Sequence, residues 1–455
     1  MSKPIKTKDR DVILQALAAG VVPRMGLQYI QVGRAPEVGA LVKDIERITD
    51  NGSAIRFIIG EYGAGKTFFL HLTRLIAMEK KCVTMHADLA PDRRIHATSG
   101  QARGLYAEAV RNMATRTKPD GGALSNIVER FIQDCIKEAQ QRGISADSAT
   151  EQKLAPLQEH ANGYDYVTVL NGYRRGVEED NENLKASALR WLRGEFSTKT
   201  DARHATGVRN IIDDHEVYDA LKALAAFVKL AGYNGTLIMF DEMVNLYKLQ
   251  SSQARNQNYE QILRMVNDTL QGNVKNLGFV FGGTPEFLMD TRRGLYSYQA
   301  LQSRLAENSF AKNGLIDLSG PVVRLASLTP EDLLVLLGNL RNVFALGDSA
   351  KHLVPDNALP KFMEHCNKRI GEAYFRTPRT TIKSFIHFLS ILEQNPAAVW
   401  TEVLGMVDIA TDTDGTDDIA PAEDVPEGTP VQMADSTPIP PTSDSGNDDL
   451  ATIRL

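Results

Sequence analysis

The sequence has 455 residues, enough for two or three domains, with ordinary hydrophobic (43%) and charged (24%) fractions. It contains no apolar run of about 18 residues that would predict a membrane span, and its N-terminus lacks an apolar signal core. The cysteines, Cys82, Cys135 and Cys366, are too scattered for a disulfide framework or a metal cluster. We therefore expect a cytoplasmic protein that does not bind membranes.

Charge is unevenly distributed along the chain. Residues 401–455 contain 13 acidic residues and one basic residue, so the preceding 400 residues carry a formal charge of +6. Rich in Asp, Pro, Ser and Thr, the tail is predicted to be disordered from about Asp408 onward. It serves as a docking segment, as a mimic that competes with nucleic acid, or only as a solubilising tail. The mildly basic body permits nucleic-acid binding but does not establish it.

The first 50 residues predict a helical lead-in. Residues 9–19 and 37–49 have helical spacing, and Pro36 falls near the first turn of the second helix. Between them, residues 21–34 are either a segment that packs on a nucleotide base or a plain connector.

Residues 60–67 match the phosphate-binding pattern G-x-x-x-x-G-K-[ST]. An apolar run at 54–59 precedes this stretch and a helical pattern follows it, as expected for a strand, loop and helix. Glycines allow the backbone N–H groups to face a polyphosphate, and the positive end of the helix adds to the attraction. The predicted nucleotide-binding residues are Gly60, Glu61, Tyr62, Gly63, Ala64, Gly65, Lys66, Thr67 and Phe68. Lys66 is expected to reach the β- and γ-phosphates, and Thr67 to bind Mg²⁺.

A second strand is predicted at residues 81–88, followed by a long, mainly helical insertion at 89–235. Its clearest helical patterns are at residues 104–115, 123–142, 186–196 and 216–232. Two stretches, 92–96 and 173–193, are locally basic, and the second also contains aromatic residues. Bases interleaved with aromatics suit nucleic acid, but a solvated helix face is the simpler interpretation.

A second nucleotide-site motif lies at residues 235–242, where an apolar strand ends in Asp241 and Glu242. This is the Walker B pattern, in which Asp241 holds Mg²⁺ and Glu242 polarises the attacking water. In AAA-type ATPases the neighbouring strand ends in a polar sensor of the γ-phosphate. The strand at residues 277–284 ends in Thr284, which fits that role, although Asn is more usual.

Arginines downstream are candidates for stabilising transition-state charge. Arg304 is the first choice for a residue that reaches a neighbouring subunit, and Arg293 is the second. Ordinary surface arginine is the alternative for both. A strand at residues 322–325 and a helical bundle from Pro330 complete the folded part. The helix that begins near Thr380 follows Arg379, which resembles a lid arginine directed at the γ-phosphate, with Arg376 as the fallback.

These patterns predict an α/β fold: an AAA+ P-loop ATPase core with a parallel sheet, a large helical insertion, a C-terminal helical lid and a disordered acidic tail. The expected divisions are residues 1–50 for the lead-in, 51–327 for the core, 328–400 for the lid and 401–455 for the tail.

The motifs G-E-Y-G-A-G-K-T-F-F-L, M-F-D-E-M, F-G-G-T-P-E and F-R-T-P-R occur in this order. With them the chain resembles the ATP-binding proteins of BREX-type phage defence, in particular the BrxD-like group near the origin-recognition branch of the AAA+ ATPases. The resemblance covers roughly residues 10–395. It implies ATP and Mg²⁺ as cofactors, DNA and a helicase or other defence proteins as partners, and assembly into homo-oligomers.

Two functional hypotheses follow. One is a slow ATPase that switches its grip on DNA or on partner proteins during phage defence. The other is an ATP-dependent adaptor, similar to a helicase loader or a transposition regulator, with little direct DNA contact. A nucleotide binder without turnover is a third possibility, against which intact Lys66, Thr67, Asp241 and Glu242 argue.

Overall fold

A parallel five-stranded sheet forms the centre of the computed structural model, which describes residues 5–308, 317–370 and 378–406. The strand order is β2-β3-β4-β1-β5. The strands are β1 (Ser53–Ile59), β2 (Cys82–Asp88), β3 (Gly235–Asp241), β4 (Leu277–Gly283) and β5 (Val322–Arg324). The predicted α/β class with a parallel sheet is therefore confirmed.

The strands are buried along most of their length because helices cover both faces of the sheet. In β1, Phe57 and Ile59 belong to the apolar cluster on one face, whereas Ala54 and Ile58 belong to the cluster on the other. This alternation follows from the two-residue period of a strand. All five strands run in the same direction, so their carboxyl ends meet at one edge, where ligands bind in open parallel sheets.

Helices account for most of the remaining described residues. Before and between the first strands lie α1 (Thr7–Ala18), α2 (Ala35–Thr49) and α3 (Lys66–Glu79). Between β2 and β3 lie α4 (Gln101–Arg111), α5 (Leu124–Arg142), α6 (Ala146–Leu154), α7 (Gly163–Glu178), α8 (Glu182–Leu192), α9 (Lys199–Thr206) and α10 (Val217–Leu230). Around β4 lie α11 (Val244–Tyr247), α12 (Ser252–Leu270), α13 (Pro285–Met289) and α14 (Gln299–Leu305). After β5 come α15 (Pro330–Phe344), α16 (Ala358–Ile370), α17 (Pro378–Gln394) and α18 (Trp400–Met406).

The region between β2 and β3 is helical, and three of its helices, α6, α7 and α9, are additional to the sequence prediction. Two predicted helices have different bounds. Helix α4 ends at Arg111 because the backbone of Ala114 pairs with Thr84 at the edge of the sheet. Helix α8 starts earlier than predicted because the Asn181 side chain caps it, and it ends before Gly194, whose φ is 69°.

The helix after the phosphate-binding loop contacts two apolar clusters. Phe69 and Leu70 of α3 pack with the sheet, whereas Leu72 belongs to the cluster formed by α1, α15, α16 and α17. A displacement of the C-terminal helices would therefore change the packing of α3. This packing places the start of α3 between the sheet and the C-terminal helices.

A buried ion pair joins α2 to the sheet. Nε of Arg56, in the middle of β1, lies 2.5 Å from Oδ2 of Asp44, and the two side chains are 7% and 5% exposed. Arg56 also donates to the carbonyls of Leu318 and Gly320 just before β5. The pair and its hydrogen bonds satisfy charges that burial alone would make very unfavourable.

Some sequence predictions lie outside the described residues. They concern Arg376 and the acidic segment from residue 407 to the C-terminus. Among the residues that are described, no helix combines the length and apolarity needed to cross a membrane.

Candidate nucleotide-binding site

The loop of residues 60–67 joins the carboxyl end of β1 to the N-terminus of α3. Gly63 and Gly65 adopt φ values of 77° and 80°, which favour glycine because other residues strain there. Nζ of Lys66 lies 2.9 Å from the Gly60 carbonyl oxygen and 3.0 Å from that of Glu61. Lys66 is thus folded over the loop at the position where a phosphate-binding lysine is needed.

Burial lowers the pKa of Lys66, and four neighbouring carboxylates oppose this shift: Asp241, Glu242, Glu61 and Glu286. Glu286, at the start of α13, is a charge that the sequence patterns did not assign to the site. The Lys66 ammonium therefore lies beside the loop among acidic groups at the carboxyl edge of the sheet, and their charges favour its protonated form.

Thr67 and Asp241 lie together across the two motifs. Thr67 Oγ1 donates to Asp241 Oδ2 at 3.2 Å, and Asp241 Oδ1 accepts the Glu242 N–H at 2.9 Å. The adjacent strand β4 needs a residue without a side chain at position 282, because a Cβ atom on Gly282 would lie 2.2 Å from Asp241 Oδ1. Gly282 therefore makes room for the carboxylate, a role that the sequence alone did not reveal.

Glu242 adopts an unusual backbone conformation for a residue with a side chain. Its φ is 57°, in the left-handed region, immediately after the buried strand β3. Desolvation and the charges of Asp241 and Asp88 raise its pKa, whereas Lys66 lowers it. Such strain and shifted acidity at one residue are typical of functional sites.

Asp88 joins this acidic group from the neighbouring strand. It is the last residue of β2, directly opposite Asp241 in the β2–β3 pairing. Desolvation and the charge of Asp241 raise the pKa of Asp88, and Arg93 opposes the shift. No sequence pattern predicts this role for Asp88, because a single acid at the end of a strand is not a motif.

The residues present fit a polyphosphate with Mg²⁺. The described residues contain no group of three or more His, Cys, Asp or Glu side chains arranged to hold a metal by themselves. Mg²⁺ commonly takes only one or two protein ligands and completes its shell with phosphate oxygens and water. The hydroxyl of Thr67 and the carboxylate of Asp241 suit this kind of coordination.

Thr284 lies between the two motifs, because β4 is placed between β1 and β3. Its side chain caps α13 by accepting the Phe287 N–H at 3.4 Å. The Thr284 hydroxyl, which the sequence predicts to sense the γ-phosphate, therefore already accepts a hydrogen bond from its own helix. The capping role is compatible with a second contact, since a hydroxyl both donates and accepts.

Other predicted loop residues differ in their surroundings. The Tyr62 ring is exposed at the tip of the loop, whereas Phe68 is partly buried against the cluster of C-terminal helices. Ala64 is buried, and its carbonyl accepts a hydrogen bond from Arg34 at 2.5 Å. Phe68 thus packs the start of α3 against these helices.

Arg34 connects the phosphate-binding loop with the segment after β5. Besides Ala64, its guanidinium donates to the Ala326 carbonyl at 3.0 Å. Burial lowers the pKa of Arg34, and the carboxylates of Glu37 and Asp332 oppose that effect. Arg34 is the last residue of the predicted 21–34 segment, but no sequence pattern distinguishes it from its neighbours.

The predicted arginines have different partners. Arg304 is held by Asn267 Oδ1 at 2.5 Å and the Ala300 carbonyl at 2.8 Å. Arg293 donates to the carbonyls of Tyr247 and Leu249 and lies over the Tyr247 ring. Nε of Arg379 donates to the Gly20 carbonyl at 2.6 Å. These contacts tie Arg379 to the N-terminal region, Arg293 to the end of α11, and Arg304 to α12 and α14.

The aromatics of the predicted basic and aromatic stretch are buried. Tyr173 is 4% exposed, Trp191 is 1% exposed, and the indole N–H of Trp191 donates to the Asn210 carbonyl. Arg174 is also buried and pairs with Asp147 and Glu178. These side chains stabilise the helical region and leave no aromatic surface in this stretch for stacking bases.

Comparison with known families agrees with the motifs. The model of the family described as "BREX system ATP-binding protein BrxC/D" matches residues 5–408. The chain belongs to this family. The resemblance inferred from the motifs is thereby confirmed at the family level, and the description of the family supports an ATP-binding role in phage defence. A search of curated proteins found no match to the chain.

Proposed function

We propose that this BrxC/D family member is an AAA+ ATPase whose nucleotide cycle changes its hold on DNA and on partner proteins of the defence system. The observation that carries the proposal is the 3.2 Å contact between Thr67 and Asp241, which joins the loop and Walker B motifs in one site. The position of β4 between them and the C-terminal helices packed on α3 further support the AAA+ assignment.

In this site Lys66 and the loop N–H groups bind the β- and γ-phosphates and offset their charge. Thr67 and Asp241 would hold Mg²⁺, which when bound would offset negative charge on the phosphate oxygens. Glu242 orients a water molecule and accepts its proton during attack. Desolvation and the neighbouring acids, which raise the pKa of Glu242, make it a better proton acceptor than an exposed carboxylate.

The switch depends on contacts that require the γ-phosphate. Thr284, Arg379 from the lid and Arg304 from a neighbouring subunit are the proposed contacts. In this proposal Arg379 leaves the Gly20 carbonyl when it turns toward the phosphate, so nucleotide state is coupled to the N-terminal region. Arg293 is the alternative to Arg304.

The proposal is tested by ATP hydrolysis with Lys66→Ala and Glu242→Gln. Lys66→Ala should weaken ATP binding, and Glu242→Gln should preserve binding but lower turnover about 10²-fold or more. Arg47→Ala, at an exposed position on α2, is the control and should hydrolyse ATP normally. Unchanged turnover in both site variants would show that the assigned site is wrong.

Assembly is tested separately by light scattering with a non-hydrolysable ATP analogue. If the protein forms oligomers with ATP, Arg304→Ala should still assemble but should lose ATPase activity. This combination would support a residue that acts across the subunit boundary. A monomer under every nucleotide condition would remove Arg304 and Arg293 from the mechanism.

The adaptor function is the second candidate, favoured by the burial of Tyr173 and Trp191, which leaves no base-stacking surface there.

A further inference from the structure

A basic cavity lies on the helical region between β2 and β3. It is open, has a volume of about 640 Å³, and is lined by five residues, which we call the α9 patch: Lys199, Thr200, Arg203, His204 and Arg209. All five are exposed. Lys199 and Arg203 are four residues apart and therefore lie on the same face of α9. Arg209 follows the end of the helix and completes the group.

The cations of this patch differ from the ion-paired cations of the same region. Arg111, Arg142, Arg174 and Lys185 form ion pairs with nearby acids. In the part of the chain that the structure describes, Lys199, Arg203 and Arg209 have no such acidic partner. Asp201 is the acid within α9, so the patch keeps a local excess of positive charge. That charge is available to an anionic ligand.

The patch is attached to a rigid base. Ala202 of α9 and Val208 just beyond it are buried, and Trp191 anchors the neighbouring Asn210 through a 2.9 Å hydrogen bond. On the connection from α8, Arg190 lies over the ring of Phe196 at 4.3 Å. Cations presented by buried, packed neighbours lose less conformational freedom when they bind a ligand.

The surroundings favour phosphates over a protein surface. Stable protein interfaces usually contain several large apolar anchors, whereas the helical region offers one, the exposed Tyr164, among the described residues. Its neighbour Asp165 accepts a hydrogen bond from Asn210, beside Arg209 of the patch. Base stacking is also absent from this stretch, because Tyr173 and Trp191 are buried. Exposed Arg and Lys without aromatics are suited to contacts with the phosphodiester backbone, which carry no sequence information.

We propose that the α9 patch binds the phosphate backbone of DNA. This inference rests on the DNA-directed action in the proposed function and gives it a location away from the nucleotide loop. Each cation that neutralises a phosphate releases counterions from the duplex. Binding at the patch is therefore independent of base sequence and falls steeply as the salt concentration rises.

The test uses full-length protein and a fluorescent 30-base-pair duplex in a salt series with EDTA and no nucleotide. The variant Lys199→Ala/Arg203→Ala/Arg209→Ala should bind at least about tenfold more weakly at low salt. The slope of log affinity against log salt should become shallower by about 2 to 3, since three phosphate contacts are removed. Duplexes of unrelated sequence should give the same result.

The matched control is Arg116→Ala/Lys137→Ala/Arg142→Ala, which removes three exposed positive charges from the same helical region. It should bind within about twofold of the unmodified protein. Equal binding by the two triple variants, or no DNA binding by the unmodified protein, would overturn the proposal. The proposal would also be overturned if the α9-patch variant lost binding to polyglutamate but bound DNA as the unmodified protein does. The patch would then recognise acidic protein.

An ATP-binding measurement separates this proposal from the proposed ATPase function. The α9-patch variant should bind a fluorescent ATP analogue with unchanged affinity, which also verifies that it is folded. Lys66→Ala should show the reverse pattern in EDTA: weak nucleotide binding and intact DNA binding. If the triple variant lost DNA binding, ATP binding and thermal stability together, the three single variants would be measured instead. They should weaken DNA binding while ATP binding stays intact; if they do not, the patch assignment is wrong.

Discussion

The carboxyl edge of the sheet and the helical region between β2 and β3 present charge in opposite ways. At the sheet edge, four carboxylates surround Lys66, and the pKa values of Asp88 and Glu242 are raised by burial and by neighbouring carboxylates. In the helical region many acids and bases form ion pairs near the surface, and the α9 patch groups exposed cations around one open cavity. The first arrangement suits chemistry on a small ligand, whereas the second suits a large polyanion.

The largest expected difference concerns two buried arginines, Arg56 in the middle of β1 and Arg174 in the helical region. Arg56→Met should lower the free energy of unfolding by about 3 kcal/mol, because the buried carboxylate of Asp44 loses its buried partner and keeps a 3.8 Å contact with the exposed Arg47. Arg174→Met should cost only about 1 kcal/mol, since its partners Asp147 and Glu178 are 67% and 43% exposed and remain hydrated. Urea unfolding of both variants measures the difference.

The double variant Arg56→Met/Asp44→Leu serves as the control for this interpretation. It should recover much of the lost stability, because the unpaired buried charge is removed. Equal losses for Arg56→Met and Arg174→Met would contradict the claim that the interior of the sheet and the helical region differ in how they stabilise a buried arginine.

A steric change at the sheet edge should have the next largest effect. Gly282→Ala places a methyl group against Asp241 and should reduce ATP turnover about 10²-fold by displacing the carboxylate from Thr67. Gly39→Ala is the matched control, because a Cβ atom there meets no atom within 4 Å. Steady-state hydrolysis is the measurement, and normal turnover in Gly282→Ala would show that the position of Asp241 is not critical.

The two regions also differ in how far the sequence predicts them. The loop and strand β3 were predictable because local patterns specify both backbone and chemistry: Gly63, Gly65 and Lys66 lie within four residues, and Asp241 ends an apolar run. Gly282 and Asp88 were not, because their roles depend on strand order. Long-range pairing places them beside Asp241, and no local pattern encodes that proximity.

For the helical region, periodicity predicted helices but not their surfaces. Tyr173 and Trp191 looked like candidates for binding bases, although tertiary packing buries both. The exposed cations of α9 were overlooked because a short helix without an aromatic neighbour resembles ordinary solvated surface. They are distinguished by lying together around one open cavity without acidic partners among the described residues, a grouping that depends on the folded structure.

A smaller effect is expected from Arg34, which connects the loop with the segment leading to α15. Arg34→Ala should weaken ATP binding about tenfold, because the carbonyls of Ala64 and Ala326 lose a shared charged donor. Arg34→Lys should retain part of the affinity, since a lysine cannot span two acceptors as a guanidinium does. Titration calorimetry with an ATP analogue tests both variants, and DNA binding in EDTA should stay unchanged. Parallel loss of DNA binding would mean that the two regions are not independent.

The smallest predicted effect is a shift in pH dependence at the sheet edge. The negative charge of Asp88 helps to raise the pKa of Glu242, and Glu242 must be deprotonated to accept a proton from water. Asp88→Asn should therefore lower the pKa of Glu242 and move the acid limb of the ATPase pH profile to lower pH, by less than about one unit. Asp134→Asn, on the surface of α5, should leave the profile unchanged because its carboxylate does not contribute to the pKa of Glu242. A shift toward higher pH in Asp88→Asn would have the wrong sign for this electrostatic coupling and would remove Asp88 from the group that tunes Glu242.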